Sequence, residues 1–257
     1  MSTIVLVHGA WQTRATWDLV VPRLREAGHA VHVAALTGLE GADGALTGDV
    51  TLDTHVGDVV GLIESHDLRD VVLVGHSYAG MVITGVAERA PARIGGLFYA
   101  DAFVPENGQC ALQFLPEAMQ QLFRTQAAGE PDGFRLRASE RQLDLWGLKS
   151  GPAREFVRAR LCDFSIRCFE QPLRAPAGNA ARLPRAYLAC VADGYPARAA
   201  FAQFARRAQA GGWSYFELPT GHDCHVELPE AFCRCLEQAR SLAGAQSAGV
   251  PSQESER

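Results

Sequence analysis

VLVGHSYAGM, residues 72–81, decides how this chain is read. The apolar, β-branched run VVLV (71–74) ends at Gly75, and a small-residue, apolar segment follows Ser77. That pattern predicts a strand (71–75) that delivers a serine through a tight turn into a helix running from Ser77 to Ala90. Such a turn lifts the hydroxyl clear of the backbone and sets a helix N-terminus beneath it. The position two residues after the serine must be small, because strand and helix approach closely there. Ala79 holds that position where a glycine is usual, with Gly75 and Gly80 flanking it. Ser77 is therefore the candidate nucleophile.

The same alternation extends in both directions. TIVLV (3–7) reads as a buried strand stopped at His8-Gly9, followed by a helix over 16–27 and a strand over 29–36. Residues 37–50 read as a loop, and Thr51 can cap a helix carrying Leu52, Val56, Val59, Val60 and Ile63 on one face. Further strands are predicted at 94–100, 185–191 and 213–218, with helices at about 197–210 and 229–243. Almost wholly apolar strands alternating with helices argue for an α/β architecture: a mostly parallel, doubly wound sheet covered on both faces. Residues 105–183 break the rhythm with Pro105, Pro116, Pro131, Pro152, Pro172 and Pro176 and no clear strand. The reading is a core of 1–104 and 184–243, a helical cap of 105–183 inserted between core strands, and a disordered tail of 244–257.

Composition narrows the classes of function. The chain has 257 residues, is 47% hydrophobic and carries a net charge of −5. It has no basic excess with which to hold a nucleic acid. No apolar run approaches the roughly 20 residues of a membrane span. Seven cysteines, an odd number without a Cys-x-x-Cys pair, suit reduced thiols in the cytoplasm rather than a disulfide frame. Cys233 and Cys235 have no second ligand pair nearby, so no metal is expected. The N-terminus runs straight into strand-like sequence without a basic, then apolar, leader, which also fits a cytoplasmic protein.

Serine needs a base, and the base needs an acid to hold its tautomer. LPTGHDCHVELP (218–229) supplies His222 directly after the last predicted strand, with Gly221 allowing the ring to turn inward. His225 is its competitor, otherwise a partly buried ring on the following turn. Asp193 lies just beyond the strand ending at Val191 and is the favoured acid; Asp101, closing strand 94–100, is the runner-up. The oxyanion donors are predicted to be the N–H of Tyr78, after the nucleophile, and that of Ala10, in the loop VHGAW (7–11). His8 is read as orienting that loop. Trp11, Phe103 and Trp146 are candidate substrate-binding residues, and Phe114, Leu115, Leu122, Phe123, Phe156 and Phe164 could line the same apolar pocket or hold the cap together. Between Arg124 and Arg185 there are 12 basic and 7 acidic residues, a mild excess that suits an anionic or phenolic substrate and solvated helix faces equally.

VLVHGAWQTRATW (5–17), VGHSYAG (74–80), YADAFVPENGQ (99–109) and TGHDCHVELPEAF (220–232) together resemble the α/β-hydrolase fold, and more closely its plant esterase and hydroxynitrile lyase branch with bacterial relatives. The resemblance runs from residue 3 to about 242. It implies a cap over the active site, Ser77, Asp193 and His222 as the triad, Ala10 and Tyr78 as oxyanion donors, and no cofactor. The lyases of the branch carry a threonine after the first-loop histidine and a lysine after the catalytic histidine. Gly9 and Asp223 stand at those positions, and His76 matches the esterase side, so hydrolysis is favoured. The expectation is a carboxylic ester or lactone hydrolase acting on an apolar small molecule. A lyase or cyclase using His222 as general base is the alternative, and a non-catalytic binding protein is a third class. A small molecule is the expected partner, with neither nucleic acid nor membrane, and a homodimer is left open.

Overall fold

The computed structural model describes residues 1–40 and 46–248. Strand β1 (Thr3–Val7) is followed by a 3-10 turn (Arg14–Leu19) and then helix α1 (Val21–Glu26). The single helix expected over 16–27 is split here because Pro22, with no N–H to donate, suits only the first turn of a new helix. Strand β2 (Ala30–Val33), helix α2 (Leu52–Ser65), strand β3 (Val71–His76), helix α3 (Ala79–Arg89) and strand β4 (Ile94–Ala100) complete the first half. Thr51 caps α2 in a capping box with Thr54. Helix α3 starts two residues later than the sequence pattern suggests, since Ser77 has φ +58°, a left-handed conformation no α-helix accommodates.

Between β4 and the next core strand the chain forms α4 (Glu117–Gly129), β5 (Arg135–Leu136), α5 (Glu140–Leu145), α6 (Pro152–Arg158), β6 (Phe164–Ser165) and α7 (Ile166–Glu170). The two short strands pair antiparallel, a small ladder that the proline-rich sequence did not suggest. The core resumes with β7 (Arg185–Cys190), α8 (Arg198–Ala210), β8 (Ser214–Leu218), α9 (Cys224–Glu227) and α10 (Pro229–Ala248). Helix α10 includes residues 244–248, which were expected to belong to the disordered tail. The rest of that tail, 249–257, and residues 41–45 of the loop expected over 37–50 lie outside the described residues.

The six core strands form one sheet in the order β2-β1-β3-β4-β7-β8, parallel at every pairing. Ile4, Val5, Leu6 and Val7 are fully buried, as strands covered on both faces require. From β1 the chain winds first to one side and then to the other, so the order reverses between β1 and β3. Ligand sites in such sheets form outside the carboxyl ends of the strands at that reversal. The register sets those ends abreast, with Val7 beside Gly75, His76 beside Ala100 and Cys190 beside Leu218.

Candidate active site

The serine turn is built by close backbone approaches. A Cβ on Gly75 would lie 2.8 Å from the Ala79 carbonyl oxygen. On Gly80 it would lie 1.9 Å from the Phe103 carbonyl oxygen, and on Gly9 2.9 Å from Ser77 Cβ. The glycine that the packing demands is thus Gly80, and Ala79 is tolerated at the first position of α3. A threonine at position 9, as on the lyase side of the resemblance, would press on the serine itself. Ser77 is held by its N–H donating to the Ala100 carbonyl (3.2 Å) and by its carbonyl accepting from Phe103 N–H (3.1 Å). Trp11 (φ +60°) and Asp101 (φ +43°) are also left-handed, so three of the five non-glycine residues with positive φ among the described residues stand at one site. Strain gathered in this way marks sites whose geometry is over-determined by their surroundings.

His222 is 1% exposed and follows β8 at the carboxyl edge. Its N–H donates to the Trp146 carbonyl (2.8 Å), and its own carbonyl accepts from His76 Nε2 (3.0 Å). Its Nδ1 lies 2.7 Å from Asp101 Oδ2. The carboxylate that meets the ring is therefore that of Asp101, and Asp193, the favoured acid from sequence, is exposed and does not meet it. The cause lies in the backbone. Asp101 directly follows β4, its N–H donates to the Leu188 carbonyl (2.7 Å), and its left-handed turn aims the carboxylate inward, where Oδ1 accepts from Cys190 N–H (3.3 Å). In the loop after β7 it is Tyr195, two residues past Asp193, that turns in. Its hydroxyl donates to Asp101 Oδ2 (2.7 Å) and lies 2.8 Å from His222 Nδ1. No motif in the sequence signalled Tyr195.

Ser77 and His222 line one cavity of about 170 Å³ together with Ala10, Trp11, Phe103, Leu115, Leu122, Phe123, Trp146 and Phe201. The three residues proposed to touch substrate all border it, whereas Phe114, Phe156 and Phe164 do not. Arg141 is the charged group among its non-histidine lining residues. The first loop is tied to the 105–183 insertion: Trp11 Nε1 donates to the Leu136 carbonyl (3.1 Å), and Cys162 N–H donates to the Trp11 carbonyl (2.9 Å). Among the described residues no backbone carbonyl takes the N–H of Ala10 or of Tyr78. The Tyr78 side chain points away into the core, its hydroxyl 3.1 Å from His55 Nδ1.

Behind His222 lies a second buried polar group. Gln12 Nε2 donates to Asp223 Oδ1 (2.5 Å), and the His225 ring packs tilted against Trp17, centroids 4.3 Å apart. His225 is fully buried rather than partly so. Burial holds the His76 imidazole well below its ordinary range and His225 down at about 3, so both rings are neutral. Burial also pushes the Asp223 carboxyl up to about 6 and Glu227 up to about 7. Donor atoms of His76, Asp223 and His225 lie within 4.8 Å of one another, the grouping among the described residues that could hold a metal ion. A cation there would stand against His222, whose ring is 4.5 Å from that of His76, and would oppose any positive charge on it.

Comparison with known proteins bears on this geometry. Residues 4–234 match the alpha/beta hydrolase family. The chain belongs to that family. It is 38% identical over 247 residues to a carbendazim hydrolyzing esterase of Nocardioides sp. (strain SG-4G), covering 92% of this chain and 98% of the relative. It is 25% identical over 252 residues to a pyrethroid hydrolase of Sphingobium wenxiniae, covering 92% and 86%. In fold it is similar to an extracellular alpha/beta-hydrolase from a Paenibacillus species, described as sharing homology with tobacco salicylic acid binding protein 2. There the TM-score is 0.79 at 23% identity, with 93% of this chain and 99% of that one covered. This alpha/beta hydrolase is an enzyme of the ester-hydrolysing kind, and the lyase alternative has less behind it. Among the described residues no helix is long and apolar enough to cross a membrane.

Proposed function

We propose that this hydrolase forms an acyl-enzyme on Ser77, with His222 as general base and Asp101 as the acid that steadies it. The single observation that carries the reading is the buried Asp101–His222 pair opening on the same cavity as a serine held at φ +58°. His222 takes the hydroxyl proton as Ser77 attacks the ester carbonyl, and the imidazolium is stabilised through Nδ1–H by Asp101. Ala10 and Tyr78 N–H groups receive the oxyanion. The proton then passes from His222 to the leaving alcohol, and water repeats the sequence on the acyl-enzyme. The insertion over 105–183 acts as a cap, supplying the apolar wall through Leu115, Leu122, Phe123 and Trp146.

The substrate class follows from the cavity. A space of about 170 Å³ walled by aromatic and aliphatic groups suits a compact, flat, apolar ester or carbamate ester, and the relative named for carbendazim hydrolysis supports that choice. All seven cysteines are free, which supports a cytoplasmic setting. The test is Ser77→Ala, assayed with carbendazim and with an aryl ester of similar size alongside a serine-directed phosphonate label. Turnover should fall by about three orders of magnitude or more, and the label should be found on Ser77 of the wild type alone. Full activity of the variant would overturn the acyl-enzyme. Loss of turnover in His222→Ala with retention in Ser77→Ala would instead favour the lyase or cyclase chemistry.

A further inference from the structure

Asp101 Oδ2, Tyr195 Oη and His222 Nδ1 form a nearly equilateral triangle with sides of 2.7, 2.8 and 2.7 Å. In a simple acid–histidine pair the ring N–H has one acceptor, and that acceptor has one donor. Here the carboxylate oxygen has two donors, and the ring N–H faces two oxygens. We propose that Tyr195 is a positioning residue of this site: its hydroxyl shares Asp101 Oδ2 with His222 and so sets how strongly the carboxylate holds the Nδ1–H. The proposal rests on the acyl-transfer reading above and concerns the strength of its base.

The hydroxyl stays a donor. Burial, reinforced by the charge of Asp101, holds Tyr195 well above the ordinary tyrosine range, so its one hydrogen is present throughout neutral pH and is directed at Oδ2. A donor on a carboxylate disperses its charge and weakens its pull on a second donor. The Tyr195 ring also lies along the imidazole, at 5.8 Å and 26°, which limits tilting of His222. The insertion fixes the spacing between the two. Ala197 N–H donates to the Leu145 carbonyl (3.1 Å), and His222 N–H donates to the next carbonyl, that of Trp146. Gly147 then fits between them: a Cβ on it would lie 3.4 Å from Gly221 Cα and 3.5 Å from Tyr195 Cα.

The charged and titratable groups facing His222 come from several elements. Asp101 leaves β4, Cys190 ends β7 with its thiol 3.7 Å from the His222 carbonyl, Tyr195 leaves β7, His76 ends β3, and Asp223, His225 and Glu227 follow β8. Among the described residues, Asp101 and Tyr195 are the two that touch Nδ1.

Tyr195→Phe keeps the ring and deletes the shared donor. Asp101 then serves His222 alone and stabilises the imidazolium more strongly. The acidic limb of the kcat/KM–pH profile on an activated aryl ester should move to higher pH by about half to one unit. KM should stay within about twofold and kcat on the alkaline plateau within about tenfold. The Nδ1–H proton resonance at low pH should move downfield as the bond to Asp101 tightens. A limb that moves by less than about 0.2 unit, or to lower pH, overturns the role of Tyr195. The phosphonate label separates the two ideas. With Ser77 labelled in the variant and the limb unmoved, only the Tyr195 proposal falls; with Ser77 unlabelled in the wild type, the acyl-enzyme falls first.

Discussion

The loops leaving β4 and β7 lie side by side at the carboxyl edge of the sheet, and each carries an aspartate just past its strand. They meet opposite fates. Asp101 comes one residue after its strand, is 2% exposed and takes a left-handed turn that points it at His222. Asp193 comes three residues after its strand and faces solvent, while Tyr195 occupies the inward position of that loop. The difference teaches that a carboxylate's place in a chain does not assign it to a base. The backbone that aims it does, and an offset of two residues along a loop exchanges inside for outside.

The hardest blow to this contrast would be struck through Asp101 itself. Asp101→Asn leaves the shape nearly unchanged but removes the charge that accepts the Nδ1–H, allowing His222 to adopt the wrong tautomer. kcat/KM on an aryl ester should fall by roughly 10³- to 10⁴-fold. A loss of less than tenfold would move the acid back to the β7 loop.

Much of this arrangement was legible in residues 71–76, 94–100 and 185–190, because a strand buried on both faces leaves a continuous apolar run. That Ser77 and His222 face one cavity was legible because each follows a glycine-marked turn just past a strand. Asp101 was visible only as the second choice, since two aspartates past two strands give the same pattern and the deciding φ of +43° leaves no trace in composition. Tyr195 was hidden because an aromatic residue in a loop usually packs, and nothing in ADGYP says that its hydroxyl is the part in use. The weight Gly80 carries is hidden in sequence, because the backbone oxygen it must clear belongs to Phe103, more than twenty residues away.

That contact gives a second way to break the contrast, through the β4 loop's seat on the nucleophile helix. On helix propensity alone Gly80→Ala would stabilise by roughly 1 kcal/mol. The new methyl would stand 1.9 Å from the Phe103 carbonyl oxygen and 3.1 Å from Ala102 Cβ, neither of which is the free end of a flexible chain. Overpacking of this kind costs about 1–3 kcal/mol and here should outweigh the propensity gain. Urea unfolding should show a lower midpoint at unchanged slope. Activity should fall as well, because the segment displaced carries both Asp101 and the N–H that holds the Ser77 carbonyl. An unchanged or raised midpoint would mean that the β4 loop is not pinned as the geometry implies.

The smallest effect belongs to the other aspartate. Asp193→Asn removes one surface charge from a loop whose inward contacts are made by Tyr195 and Ala197. Surface changes away from caps and buried partners stay within about 0.5 kcal/mol, so the unfolding midpoint should not move measurably. kcat/KM for a neutral ester should stay within about twofold, since a charge that does not reach Nδ1 neither selects the tautomer nor meets the imidazolium at short range. Any residual effect should be electrostatic and should vanish at high ionic strength, where an exposed charge is screened within a few ångströms. A loss that survives added salt would require Asp193 to swing inward during turnover, and then the two loops would share the acid's work rather than divide it.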